Sequence, residues 1–234
     1  MVFTLIMNNF IQIQKIEHET MSQRVYKDLK DLIMGGKVEP GQKLTLKSLA
    51  DALGTSQMPV REALRQLAAE GALEFMPNRS IRVPIMTTDK FNELLQIRLA
   101  LEGLAVEEAA RVITNDELLE LERQHSIYLM ESAKRKPDVS VAIEANMRLH
   151  FATYKAAKLP SLLNIIEGLW LQIGPVLNLD LRSEPKRLTS GPAISHHAQM
   201  IKALKRRDPI KARKALAADL SATASYIINS KRLK

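Results

Sequence analysis

Apolar side chains recur at helical spacing in the first part of the chain. Val25, Leu29 and Ile33 lie four residues apart, which predicts a helix from Ser22 to Met34 that ends at a glycine pair. A Pro-Gly turn follows at 39–42. Leu46, Leu49, Ala50 and Leu53 then form the apolar stripe of a second, short helix, which Thr45 can cap and Gly54 ends.

A third helix is predicted two or three residues after Gly54, within the stretch GTSQMPVREALR. Pro59 falls in its first turn, where the backbone N–H groups have no partner inside the helix and a proline costs little. Ser56 can cap it. Gln57, Arg61 and Arg65 form a polar stripe along one flank. The positive end of a helix dipole beside such side chains suits a polyanion.

Two short strands are predicted after the third helix. Apolar positions alternate in LEFM (73–76) and in IRVPI (81–85), with the turn sequence PNRS between them. Three helices followed by a β-hairpin are typical of a winged helix-turn-helix, in which Asn78 and Arg79 occupy the tip of the wing.

The rest of the chain carries no strand signal. Helices are predicted near residues 88–113, 115–134, 139–158, 160–178, 192–206 and 209–230, and NLDLRSEPKRLTSGP is interpreted as a break. Whether 88–113 is one helix or two stays open. The predicted fold is mainly α: an arm (1–20), a winged helix-turn-helix domain (21–86) and an all-α antiparallel helical bundle (87–231).

Composition narrows the class of protein. Of 234 residues, 46% are hydrophobic and none is cysteine, which excludes a disulfide framework and fits the cytoplasm. The apolar start lacks a basic leader, and no uninterrupted apolar run approaches the ~20 residues of a membrane span, so neither a signal peptide nor a membrane partner is expected. The net charge of +8 arises in residues 182–234, far from the third helix, and does not itself indicate DNA binding.

Four polar residues on three predicted bundle helices fall on apolar faces: Asn146, His150, His197 and Asp219. His196 falls on the opposite side of its helix. Buried polar groups need partners, and a divalent metal would satisfy all four together. The alternative is a metal-free cluster joined by hydrogen bonds and water.

Arg98 is a further inward-facing polar residue, since Leu94, Leu101 and Ala105 surround it on its helix. A buried arginine needs an anionic partner. Glu102, four residues on, is one candidate, and the carboxylate of a bound organic acid is the other.

The first domain resembles the GntR family of bacterial transcription regulators over KVEPGQKLTLKSLADALGTSQMPVREALRQLAAEGALEFMPNRSIRV. The second resembles the FadR-like, FCD-type effector domain, whose entry signature matches FNELLQIRLALEGLAVEEAA with Arg98 and Glu102 at its Arg and Glu positions. The resemblance covers about residues 22–230. It implies a homodimer that reads a short near-palindromic operator. The implied DNA contacts are Lys47, Ser56, Gln57, Arg61, Asn78 and Arg79.

The FCD resemblance also implies a metal site, formed by an Asp-x-x-x-His pair and two later histidines. Asn146 and His150 match the pair, His197 matches the next ligand and Asp219 the last, so two of the four ligand types differ. Gln57 stands where the family often has arginine, and Ser80 where a wing glycine is common. The altered set could still hold zinc, nickel or manganese.

The predicted function is a DNA-binding transcription regulator, a repressor, whose operator affinity changes when a small organic acid binds with a divalent metal. One alternative is a regulator with a metal-free polar cluster and no acid effector. The other is a metal-dependent enzyme, for which no spare inward carboxylate is placed as a general base.

Overall fold

A computed structural model of the protein describes residues 19–77, 80–183, 185–231 and 233–234. The N-terminal part contains α1 (Met21–Met34), α2 (Leu46–Leu53) and α3 (Gln57–Ala69), with the strands β1 (Lys43–Leu44), β2 (Glu74–Phe75) and β3 (Ile81–Arg82). The C-terminal part contains α4 (Thr88–Val112), α5 (Asn115–Ser132), α6 (Val139–Ala156), α7 (Pro160–Ser183), α8 (Lys186–Ser190), α9 (Ala193–Lys205) and α10 (Pro209–Asn229). The predicted fold class, a winged helix-turn-helix followed by a helical bundle, is confirmed.

The first helices begin where side chains satisfy their free N–H groups. The Thr20 hydroxyl accepts from the Gln23 backbone at the start of α1, and the Thr45 hydroxyl accepts from the Ser48 backbone at the start of α2. Ser56 occupies the N-cap position of α3, but its side chain makes no capping hydrogen bond. The prediction that Ser56 caps α3 is therefore wrong, and its hydroxyl stays exposed to solvent.

The sheet has one strand more than predicted. β3 lies between β1 and β2 and pairs antiparallel with both, so that Arg82 stands opposite Lys43 on one side and Glu74 on the other. β1 is only two residues long, too short to show alternation in the sequence. The wing is closed by a hydrogen bond from the Met76 N–H to the Ser80 carbonyl oxygen, at 2.9 Å. The predicted tip residues Asn78 and Arg79 lie outside the described residues.

In the C-terminal part, α4 is a single helix, which answers the question that the sequence left open. It packs against α10, α6, α7 and α9, while α5 pairs with α6 and α9 pairs with α10. The predicted break at 178–192 is wrong in part, because α7 continues to Ser183 and α8 follows. The extra turn of α7 is held by tertiary contacts, since Asn178 and Arg182 both donate to backbone carbonyls at the end of α1.

One segment, Pro160–Leu179, is long and apolar enough to cross a membrane by length and composition, with a mean hydropathy of 1.3. Slightly more than half of it, 56%, is buried inside the protein. Ile166, Trp170 and Leu171 on this segment are part of the apolar core, which also contains α1 and α3 side chains. The segment therefore packs as a core helix that joins the two parts of the chain.

Candidate functional site

The exposed flank of α3 is the first candidate site. Val60, Leu64 and Leu67 are fully buried and fix one face of α3 against the core. Gln57 and Arg61 lie on the opposite side and are exposed, as are Ser56 before the helix and Lys47 on α2. The first turn of α3 therefore presents polar side chains and free N–H groups together, an arrangement that suits phosphates and base edges.

Arg61 is free to contact a ligand. Its two candidate partners within the chain are engaged elsewhere, because the Glu62 carboxylate accepts from the Ser22 hydroxyl and the Glu70 carboxylate accepts from the Tyr26 hydroxyl. Within the described part of the chain, Arg61 makes no ion pair. The structure thus leaves a guanidinium exposed on the third helix, near the positive end of its dipole.

The second candidate site is a cavity of about 60 Å³ among the bundle helices, called the central cavity below. Its lining includes Arg98, Asn146, His150, Trp170, Asn178 and Asp219. Since one water needs roughly 10–15 Å³ measured in this way, the cavity has room for a few waters, a hydrated metal ion or an acid of a few heavy atoms.

Three of the four predicted metal ligands come together at this cavity. One donor atom from each of His150 on α6, His197 on α9 and Asp219 on α10 lies within 4.8 Å of the other two. The Nε2 atoms of His150 and His197 are 3.3 Å and 3.8 Å from Asp219 Oδ2. Asn146 lies one turn before His150, is partly exposed and lines the same cavity.

The donor set fits a divalent cation. Both ring nitrogens of His197 are buried without a hydrogen-bond partner in the described structure, which is costly unless something else binds them. Burial alone would raise the pKa of Asp219, but the neighbouring His197 and His150 hold it well below its ordinary value. Asp219 is therefore an anionic carboxylate between two imidazoles, and imidazole with carboxylate suits zinc, nickel or manganese.

Arg98 has the partner within the chain that the sequence offered. Its Nε and Nη2 atoms donate to the two carboxylate oxygens of Glu102, at 2.6 Å and 3.2 Å, and both residues are buried. Burial by itself lowers the pKa of Arg98, but Glu102 raises it above its ordinary value. Arg98 also lines the central cavity, and its Nη1 makes no hydrogen bond within the described residues. The pair with Glu102 therefore leaves one donor for a ligand.

Sequence reasoning missed part of the polar cluster. His196 is not turned away, as predicted, because its Nδ1 is buried and lies 3.9 Å from Asp219 Oδ1. His125 on α5 stacks edge-on against His197, with ring centroids 5.9 Å apart. The sequence signal for His196 was its position next to the inward-facing His197, because a long side chain at the edge of an apolar face can bend inward.

Trp170 and Tyr154 are buried, as expected of core residues, but their polar atoms take part in the cluster. The Trp170 Nε1 donates to Glu102 at 3.2 Å, and the Tyr154 hydroxyl also donates to Glu102. The Arg98 guanidinium lies 5.0 Å from the centre of the Trp170 ring. A buried tyrosine or tryptophan needs a partner for its polar tip, and this requirement was the available signal.

Two family matches cover most of the chain. Residues 21–83 match the family described as bacterial regulatory proteins, gntR family, and residues 93–222 match the FCD domain. The first covers the winged helix-turn-helix and the second the greater part of the helical bundle.

Proteins similar to this one match it over most of their length and most of its own. The HTH-type transcriptional regulator McbR of Escherichia coli K12 is 33% identical over 204 residues, which cover 87% of this chain and 90% of the relative. A probable D-xylose utilization operon transcriptional repressor of Paenarthrobacter nicotinovorans is 31% identical over 216 residues, covering 90% and 92%. The solved structure of E. coli McbR/YncC superposes with a TM-score of 0.84 at 30% identity, covering 91% of this chain and 99% of the other.

Proposed function

Since the chain belongs to the GntR family of DNA-binding bacterial transcription regulators and carries an FCD domain, we propose that it is a homodimeric repressor controlled by a small organic acid. In this proposal the acid binds with a divalent metal in the helical part and weakens the hold of the dimer on its operator. The protein acts in the cytoplasm, where its operator is found. The relatives carry the names of regulators, which argues against the alternative of a metal-dependent enzyme.

Residues 21–86 form the DNA-binding domain of the proposal, after an arm at 1–20. Gln57 and Arg61 contact base edges in the major groove, because they lie on the exposed flank of α3. Ser56, Lys47 and the wing residues Asn78 and Arg79 contact the sugar-phosphate backbone of the DNA. Such contacts position the protein without reading the base sequence. The exposure of Arg61, together with its lack of an ion pair among the described residues, is the main support.

Residues 87–231 form the effector-binding and dimerisation domain of the proposal. His150, His197, Asp219 and Asn146 hold the metal, which supplies positive charge to bind an anionic oxygen of the effector. Arg98 Nη1 binds the acid's carboxylate. The volume of the central cavity favours an acid of a few heavy atoms over a large metabolite. Ile97 and Leu104, seven residues apart on α4 and both exposed, support a dimer contact on that helix.

The observation that carries the metal part is the pair of unpartnered nitrogens on His197, beside an anionic carboxylate. The test is metal content per chain in the purified protein, measured by mass spectrometry. About one metal per chain is expected in the wild type and a loss in His150→Ala and His197→Ala. His125→Ala is the matched control, a neighbouring histidine whose loss leaves the metal in place.

The absence of metal in the wild type, even after zinc, nickel or manganese is added, would favour the metal-free polar cluster. The DNA part is tested separately. Selection of bound sequences from a random duplex pool is expected to yield a short near-palindrome. Light scattering is expected to give the mass of a dimer. A monomer, or a pool without enrichment, would contradict the proposal.

A further inference from the structure

The two ring nitrogens of His150 face different partners. Its Nδ1 lies 3.1 Å from the hydroxyl oxygen of Tyr154, and its Nε2 lies 3.3 Å from Asp219 Oδ2. Both His150 and Tyr154 are buried. A neutral imidazole carries one hydrogen, and the partner of each nitrogen decides which one carries it.

The Tyr154 hydroxyl has already committed its hydrogen. It donates to Glu102, a carboxylate that also accepts from the Arg98 guanidinium and from the Trp170 indole. A phenol has a single hydrogen, and here it is directed at the Glu102 carboxylate. Its oxygen therefore has only lone pairs to offer to His150.

From this geometry we infer that Tyr154, held by Glu102, is a positioning residue that accepts a hydrogen bond from His150 Nδ1 and so favours the tautomer with hydrogen on Nδ1. The lone pair of Nε2 then points at the space beside Asp219, where it can bind a metal. The inference rests on the proposed metal site. It adds a role for Tyr154, Glu102 and Arg98, which orient the ligand His150 without themselves binding the metal. Groups that orient a histidine ligand through its second nitrogen commonly change metal affinity 10- to 100-fold.

The competing arrangement explains why Tyr154 matters. Asp219 is a carboxylate and a stronger acceptor than a phenol oxygen. The Tyr154 hydroxyl oxygen competes with Asp219 for the hydrogen of a neutral His150, and without it the tautomer that donates from Nε2 to Asp219 has no competitor. In that tautomer Nε2 donates its hydrogen to Asp219 and has no lone pair left to bind a metal.

The test compares Tyr154→Phe with Tyr128→Phe in the full chain. Tyr128 is the matched control, because it is also buried, also lines the central cavity and packs against His197 with ring centroids 5.4 Å apart. Zinc affinity is measured by competition with a chromophoric chelator. We expect Tyr154→Phe to bind zinc roughly 10- to 100-fold more weakly and Tyr128→Phe to stay within about threefold of the wild type.

Nitrogen-15 chemical shifts of His150 in metal-free protein report which ring nitrogen carries the hydrogen, and a general loss of stability does not change them. They are recorded about two pH units above the ordinary histidine pKa. The wild type is expected to carry hydrogen on Nδ1 in a larger share of molecules than Tyr154→Phe, and an equal share in a folded Tyr154→Phe overturns the inference. Hydrogen on Nε2 alone in the wild type overturns the inference, even if the variant fails to fold.

The two proposals fail in different ways. A wild type that binds no zinc contradicts the proposed metal site, while the nitrogen shifts still decide the role of Tyr154. A wild type that binds zinc, beside a folded Tyr154→Phe with unchanged affinity, overturns the inference and leaves the metal site standing.

Discussion

Asn178 on α7 donates a hydrogen bond from its side-chain nitrogen to the backbone carbonyl oxygen of Met34, 2.8 Å away. Met34 is the last residue of α1 in the winged helix-turn-helix part, whereas Asn178 lines the central cavity of the helical part. One buried side chain therefore lines the central cavity and also contacts the end of α1. Since α1 packs directly against α3, a ligand that shifts α7 is expected to move α3 as well.

The first prediction concerns this link. Zinc is expected to change operator affinity in the wild type by the 5- to 150-fold typical of coupled sites. We expect Asn178→Ala to bring the ratio of affinities with and without zinc close to one, because the cavity loses its hydrogen bond to α1. Fluorescence anisotropy with the selected operator measures both affinities.

Gln172→Ala is the matched control for Asn178→Ala. Gln172 also bonds across the same boundary, from its Nε2 to the Glu70 carbonyl oxygen at 3.3 Å. In the described structure it does not line the central cavity. The control is expected to keep the wild-type ratio. Equal ratios in all three proteins would show that Asn178 does not carry the coupling.

The second prediction tests how tightly the N-terminal and C-terminal parts of the chain pack where Gly36 meets Asn178. Gly36 has φ +60°, and a Cβ added to it would lie 2.1 Å from the Asn178 Cβ, too close for any rotamer to relieve. Gly54 has nearly the same backbone, φ +63°, with open space around it. We expect Gly54→Ala to lower the free energy of unfolding by about 1 kcal/mol, from the left-handed backbone alone.

Gly36→Ala adds a backbone displacement to that cost and is expected to lose about 3 kcal/mol in total. Urea unfolding with an unchanged m-value measures both differences. Equal losses in the two variants would mean that the contact between Gly36 and Asn178 is loose in solution.

Much of the fold could be predicted because its boundaries are local. Thr45 caps α2 as expected, and the predicted break at 135–138 falls between helices. The predicted breaks at 114–116 and 206–209 each overlap the start of the next helix, because α5 begins at Asn115 and α10 begins at Pro209. The prediction failed at 178–192, where contacts of Asn178 and Arg182 with α1 prolong α7. Such contacts depend on how the two parts dock, and no local pattern carries that information.

The candidate site could likewise be predicted only where the signal is local. Helical phase alone turned His150, His197 and Asp219 inward, and the structure brings them together. Their role as metal ligands stays a prediction. The role of Tyr154 could not be predicted in this way, because its contact with Glu102 joins residues 52 positions apart in the chain.

The third prediction concerns base recognition. Arg61 and Arg65 are both exposed and lie one turn apart on α3, but Arg61 is nearer the N-terminal end of the helix, which enters the groove in the proposed complex. We expect Arg61→Ala to weaken operator binding about 10- to 100-fold, the loss of a good base contact. Arg65→Ala is expected to cost less than about threefold, as a peripheral charge. Anisotropy titrations at one salt concentration check this, and a larger loss in Arg65→Ala would contradict the assignment.

The fourth prediction concerns the amide in the metal site. Asn146 offers a neutral oxygen, whereas a carboxylate at the same place would add a second negative charge beside the cation. Asn146→Asp is therefore expected to bind zinc at least about tenfold more tightly, equivalent to about 1.4 kcal/mol. Chelator competition measures it. Weaker binding in Asn146→Asp would show that Asn146 does not face the metal.

The fifth prediction separates the structural role of Arg98 from its proposed role toward an effector. Arg98→Met leaves the Glu102 carboxylate buried without its counter-charge. Breaking a buried pair on one side costs about 3–5 kcal/mol. The double variant Arg98→Met with Glu102→Gln removes both charges, and the single oxygen of the new amide keeps one of the two acceptor contacts, either toward Tyr154 or toward Trp170. We expect it to recover more than half of the loss.

Arg123→Met is the surface control for Arg98→Met. Arg123 makes a comparable two-pronged contact with Glu120, at 2.7 Å and 2.8 Å, but its side chain is 55% exposed. An exposed pair contributes little to stability, because water and salt screen it. Urea unfolding of the three variants beside the wild type tests the difference. A double variant as unstable as Arg98→Met would mean that packing of the Arg98 side chain against Trp170, rather than the charge on Glu102, sets the cost.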